Sequence, residues 1–228
     1  MVRALFFDAG PIISLVMSRL DWILPELKKH YGGKFYITPA VKLELVERPI
    51  TIRRFEFEAL QVMKLIRDGI LEVYEEPLSA KAKQLQVIAN STFKVKGKKM
   101  DIIQCGEMES IVGAMKTGSN TVVMDERTLR LFIEDSKQLE KLLAFRFKNP
   151  VETDISNRNK FSNLLKDIKI IRSIELVSVA YKLGFLNDYL PSERGGKSKL
   201  LESVLWATKY NGCAVTEQEI NKIKEILL

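Results

Sequence analysis

Four acidic residues sit where chemistry is often carried out in alternating strand–helix chains: Asp8, Glu44, Glu107 and Asp125. Asp8 closes the apolar run Val2–Phe7, and Asp125 closes Thr121–Met124. If both runs are neighbouring parallel strands, their carboxylates share one sheet edge, about one strand spacing apart. Glu44 falls a turn and a half into the helix expected after a second strand. Glu107 lies inside an otherwise apolar helix, with Glu109 its near competitor two positions on. Carboxylates without His or Cys are the ligand set of a hard divalent ion such as Mg²⁺ or Mn²⁺. Converging acids repel one another unless a cation lies between them. Such an ion polarises a phosphodiester and activates water. Taken singly, each acid also has a plainer role. Asp8 and Asp125 suit helix caps or Asx turns, Glu44 could pair with Arg48 four residues on, and Glu107 and Glu109 suit a helix surface.

Other chemistries are excluded by count. His30 is the only histidine and Cys105 and Cys213 the only cysteines, so a four-ligand Cys/His zinc site cannot form. His30 follows Lys28 and Lys29 and precedes Gly32–Gly33, which reads as the end of a helix with cations at its negative pole.

The elements that must position the acids follow a regular order. Gly10–Pro11 breaks the first strand and opens a helix carrying Ile12, Ile13, Leu15 and Val16. Lys34–Ile37 reads as a second strand, with Thr38–Pro39 as N-cap and first-turn proline of the next helix. Leu71–Tyr74 reads as a third strand, and Ser79 caps a helix to about Ala89. Asp101 to Lys116 is helical by pattern and stops at Gly118. Thr121–Asp125 and Ile168–Ile171 complete the strands. Alternation of this kind predicts a three-layer α/β/α fold with a parallel sheet of about five strands. We read 1–175 as that domain, with a polar helical insertion at about 134–166, and 176–228 as a helical C-terminal extension. Thr216–Glu219 is a capping box for the last helix.

The 228 residues include 36 Lys and Arg against 29 Asp and Glu, a net charge of +7 that favours an anionic partner. With 46% hydrophobic and 29% charged residues, the composition is globular rather than disordered or fibrous. No run approaches a membrane span, and the apolar start is too short for a secretory signal, so a cytoplasmic, membrane-free protein is expected. Lys94, Lys96, Lys98 and Lys99 precede the helix with Glu107 and are expected to overhang the same edge, where they would contact phosphates. Arg194–Lys199 is a second basic stretch. Its Gly196-Lys197-Ser198 is no phosphate-binding P-loop, because Pro191 stands where the first glycine belongs and no strand precedes it.

Phe6–Ile13, Thr38–Leu45, Gly106–Ile111, Val122–Arg127 and the later Ile174–Leu186 together resemble the PIN-domain ribonucleases, in an archaeal-type branch. The match is good over residues 1–132. That resemblance implies single-stranded RNA cleavage by an endoribonuclease with Mg²⁺ or Mn²⁺. Asp8, Glu44, Glu107 and Asp125 take the places of the catalytic and metal-binding acids, and Glu109 is the rival third ligand. It also brings in a toxin–antitoxin role, an antitoxin or other protein partner, and a homodimer. Three positions depart from the family pattern. Gly10 replaces a residue with a hydroxyl or amide, Val123 replaces a threonine, and Arg127 replaces an acid. Arg127 is grouped with the lysines as an RNA contact. The alternative is a catalytically weak or silent RNA-binding or complex-forming module on the same fold. The haloacid-dehalogenase phosphatases, which share the strand–Asp opening, need a second Asp where this chain has Gly10.

Overall fold

The strand that carries Asp8 is the middle of the molecule. In a computed structural model that describes residues 3–228, β1 (Ala4–Phe7) is buried on both faces, as expected for an uninterrupted apolar run in a parallel sheet. The chain continues through α1 (Ala9–Met17), α2 (Ile23–Tyr31), β2 (Lys34–Ile37) and α3 (Pro39–Lys42). It then passes through α4 (Glu56–Arg67), β3 (Glu72–Val73), α5 (Ser79–Asn90), β4 (Phe93–Val95), β5 (Lys98–Lys99), α6 (Cys105–Thr117) and β6 (Thr121–Val123). Next come α7 (Arg127–Glu134), α8 (Ser136–Phe147), β7 (Val151–Thr153), α9 (Ile155–Leu164) and β8 (Lys169–Ile171). The chain ends with α10 (Ser173–Lys182), α11 (Gly196–Tyr210) and α12 (Glu217–Leu227). Val2, the first residue of the expected strand, lies outside the described residues.

Five strands form one parallel sheet in the order β3-β2-β1-β6-β8. The chain moves outward from β1 through β2 to β3, then returns to the other side of β1 with β6 and β8. The direction of progression therefore reverses between β1 and β6, and a crevice opens beyond their carboxyl ends. Register is fixed by Phe6 opposite Val122 and Phe7 opposite Val123. Side chains of β1 alternate between faces: Phe7 enters the core formed with α1, α2, α4 and α10, while Phe6 enters the core formed with α5, α6 and α7–α9. The result is a three-layer α/β/α fold with a helical extension. Gly113 lets α6 approach β1, since a Cβ there would lie 2.2 Å from the Phe6 ring.

Several sequence expectations are corrected. The helix with Glu107 starts at Cys105, not Asp101. Asn90 Oδ1 accepts the amides of Ile102 (3.1 Å) and Ile103 (2.9 Å), and this holds the preceding residues outside the helix. Glu44 is not on a regular helix. After the short α3, capped by the Thr38 hydroxyl (3.3 Å to the Val41 amide), the chain widens into a π-type turn over Leu43–Glu47. The insertion is not purely helical either, because β7 pairs with β4 in a second, antiparallel sheet of order β5-β4-β7. The C-terminal helices pack on the sheet domain. Leu176, Val177, Ala180, Leu186 and Leu200 belong to the core under α1, and a further cluster gathers Ile174, Leu201, Leu205, Cys213, Val215 and Ile220. No helix among the described residues is long and apolar enough to cross a membrane.

Candidate functional site

The crevice between the ends of β1 and β6 is a hollow of about 400 Å³ lined by Asp8, Gly10, Ile13, Glu44, Gln104, Gly106, Glu107, Asp125, Glu126, Arg127, Gly212 and Ala214. All four acids singled out by spacing line it. Asp8 stands at the N-cap of α1 with its backbone amide bonded to Val123 O (2.9 Å), which locks the end of β1 to β6. Glu107 sits at N3 of α6. Glu44 reaches in from the wide turn after α3 and is exposed. Asp125 follows Met124, whose amide is tied to Ile171 O (2.8 Å).

The electrostatics are costly. Burial pushes the Asp8 carboxyl up to about 6. The charges of Glu44 and Asp125 add to this, against the amides of Ala9 and Gly10, which favour the anion. Burial likewise pushes Glu107 up to about 8, with Glu126, Asp8 and Glu44 adding repulsion and the Gln104 amide opposing it. Both shifts run in the direction expected of buried carboxylates gathered together.

Two of the acids also hold the scaffold. Asp125 is almost fully buried. Its Oδ1 accepts the Ser173 amide (2.8 Å), and its Oδ2 accepts the hydroxyls of Ser173 (2.7 Å) and Ser14 (2.8 Å). It therefore caps α10 from across the sheet, while the cap of its own following helix is Glu126, whose carboxylate takes the Leu129 amide (2.6 Å). Glu107 Oε2 bends back to the Gln104 amide (3.0 Å) in a capping box. Glu44 makes no pair with Arg48; the ion pair of this turn is Lys42–Glu47 at 3.4 Å. A Cβ at Gly10 would lie 3.4 Å from Asp125 Cβ and 3.8 Å from Asp8 Oδ2, both ordinary van der Waals distances. The hydroxyl absent at position 10 is supplied one turn later by Ser14.

The remaining sequence candidates lie elsewhere or at the margin. Glu109 faces the other way, buried beside α5, where it accepts the Ser79 hydroxyl (3.1 Å). It lines a different hollow with Pro39 and Glu75. Lys94, Lys96, Lys98 and Lys99 are not a loose overhang. They form the β4–β5 hairpin, pinned by β7 and by Phe93 buried against Phe132, and none of them lines the acid hollow. Lys99 lines a separate hollow with Asn90 and Asp101. Arg127 does stand at the rim of the acid hollow. Ser14, Ser173, Gln104 and Glu126 belong to the site without having been singled out by sequence. Ser14 and Ser173 are 111 and 48 residues from Asp125, and no local pattern marks them.

Among the described residues, no three His, Cys, Asp or Glu side chains close on one point as a formed metal site does. Asp125 is committed to three donors, and Glu107 to its own helix cap. The donor set is nonetheless that of a hard cation: oxygen atoms only, mutually repelling, with Asp8 and Glu107 held towards their protonated forms by burial and by the neighbouring carboxylates. Cys213, behind Asp125, is no nucleophile, since burial first and then the Asp125 charge push its thiol up to about 12. Comparison with protein-family models, curated proteins and solved structures gives no match.

Proposed function

We propose that the acid hollow is the centre of a divalent-cation-dependent endoribonuclease acting on single-stranded RNA, in the manner of the PIN-domain ribonucleases that the sequence resembles. One observation carries the reading. Asp8, Glu44, Glu107 and Asp125, dispersed over 118 residues of sequence, line one hollow at the switch point of the sheet. Asp8, Glu107 and Glu44 would hold the ion, and Mg²⁺ or Mn²⁺ supplies polarisation of a phosphodiester and activation of water. Asp125 acts as a positioning residue, fixing the end of β6 against α1 and α10 through Ser14 and Ser173. Glu44, exposed on its wide turn, is free to swing towards the ion. Arg127 at the rim offers a guanidinium to a phosphate.

The commitment of Asp125 and Glu107 to internal hydrogen bonds favours a second reading, an RNA-binding module that does not cut. Incubation of end-labelled single-stranded RNA with Mg²⁺ or Mn²⁺ separates the two. The nuclease reading expects internal cleavage that EDTA and Asp8→Asn each abolish. Retention of intact RNA by a protein that binds it supports the binding module. Cleavage that persists in Asp8→Asn refutes the assignment of the site.

A further inference from the structure

Beside the acid hollow, and sharing Arg127 and Ala214 with it, lies a second hollow of about 450 Å³ between α7 and the loop that joins α11 to α12. Its chemistry is the reverse of its neighbour's. Arg127, Arg130 and Lys209 line it, with Gln138, Thr216 and Gln218 as neutral polar groups. The ion pairs around it are Arg130–Glu134, Arg172–Glu175 and Arg172–Glu219, and Arg127 and Lys209 stand outside them. Glu219 is the one carboxylate in the lining. It is already spent on Arg172 (2.7 Å) and on the amide and hydroxyl of Thr216 (both 2.8 Å).

Arg130 is the informative residue. Its side chain is 15% exposed, and its contact with Glu134 is a long 3.4 Å through Nη1 alone. Its Nε is buried with no partner, one of four such side-chain atoms among the described residues and the only cationic one. A buried donor without an acceptor costs ~1–3 kcal/mol, and more when charged. A guanidinium presents a fork of N–H donors that fits two oxygens of one phosphate. Lys209 stays beside it, its ammonium 4.5 Å over the Trp206 ring.

We propose that this hollow is an RNA-backbone subsite, seating a phosphate next to the one that faces the acids, with Arg127, Arg130 and Lys209 as its cations. The inference rests on the nuclease or RNA-binding reading of the acid hollow. It places the backbone path on α7 and the C-terminal helices rather than on the lysine hairpin.

The test is equilibrium binding of a fluorescent single-stranded RNA over a salt series, with EDTA present so that no strand is cut. Each phosphate contact contributes ~0.7 to the slope of log affinity against log salt. Arg130→Met with Lys209→Met should therefore flatten the slope by roughly 1.4. Arg127→Gln, at an exposed side chain where folding is not at stake, should flatten it by about 0.7. Lys96→Gln with Lys98→Gln should leave it unchanged. Undetectable RNA binding by the unaltered protein overturns the proposal, as does an unchanged slope in the folded Arg127 variant. Inorganic phosphate distinguishes the other source of the same chemistry. If it stabilises the protein through Arg130 while RNA binding ignores all three residues, the hollow is a free-anion site and the backbone assignment fails. Cleavage with unaltered slopes sinks this subsite and spares the nuclease reading, whereas altered slopes without cleavage do the opposite.

Discussion

Glu107→Gln should make the protein more stable, and only at neutral to alkaline pH. In the folded chain the carboxyl is pushed from its ordinary 4.5 to about 8. Between those values the folded state holds a proton that the unfolded state has released. Stability is therefore greatest at or below pH 4.5, declines as pH rises towards 8, and levels off above it. At 1.36 kcal/mol per pH unit the full rise corresponds to roughly 5 kcal/mol. The neighbouring acids share the proton uptake and the side chain is only half-buried, so about half of that is the working figure. Gln removes the charge and keeps an oxygen for the Gln104 amide, so the helix cap survives. For a chain of this size, ~2–3 kcal/mol is about 5–10 °C in melting temperature. Thermal unfolding in EDTA at pH 5 and pH 8.5 provides the assay. At pH 5 the two proteins should melt within a degree or two of each other, roughly the noise of such a comparison. At pH 8.5 the variant should melt higher, and Mg²⁺ should raise the unaltered protein more than the variant. A melting-temperature profile for Glu107→Gln that runs parallel to the unaltered protein's across this range would show that Glu107 is not the strained acid.

The two strand-end acids should separate by stability. Asp125→Ala strands the Ser173 amide and two hydroxyls and should cost about 2–4 kcal/mol in chemical denaturation, whereas Asp8→Asn should be neutral or stabilising at pH 8; equal losses would undo the distinction. Gly113→Ala should destabilise by about 1–3 kcal/mol although alanine is the better helix former, because its Cβ meets the Phe6 ring; a gain in melting temperature would contradict that packing. Glu219, held down to about 2 by the Thr216 amide and hydroxyl and by Arg172 despite partial burial, stabilises the fold above its ordinary 4.5 and loses that effect as pH falls through 2. Glu219→Gln should thus cost about 1 kcal/mol at pH 7, after discounting for solvent screening, and nothing near pH 2; a cost independent of pH would place its role elsewhere.

The legible parts of this chain were those that local sequence controls. An apolar run ending in an acid marks β1 and β6, with the breaker Gly10–Pro11 after the first, and the spacing of Thr38–Pro39, Gly118 and Thr216–Glu219 marks helix ends that the fold uses as caps. What stayed hidden depends on pairing across distance. The second sheet exists because β7 docks on β4 about 58 residues away, and that contact pins an apparent basic loop as a hairpin. A local trace was present: Lys96–Gly97, both at positive φ (53° and 72°), make the two-residue turn typical of hairpins, joining Val95 to Lys98. The run of lysines masked it, because charge there reads as solvated loop. Asp125 illustrates the same limit at the site. Its strand end suggests a cap for the helix that follows, yet it caps α10, and only the return of β8 beside β6 makes that geometry available.

That arrangement bears on how a basic protein could use an acidic centre. The N-terminal ends of α1, α6 and α7 all face the hollow, contributed by Asp8–Gly10, Gln104–Glu107 and Glu126–Arg127. Helix N-termini stabilise negative charge, which is how five carboxylates can be gathered at the switch point at all. The same amides would welcome a phosphate, but the carboxylates repel it at short range. The net charge of +7 draws a polyanion to the protein without resolving that local conflict. Under the proposed reading, two sources of positive charge would meet it: a cation among the acids, and the Arg127–Arg130–Lys209 hollow immediately beside them. The first would offset charge at the reacting phosphate, and the second would hold the strand in place. Arg127 lines both hollows and would join the two.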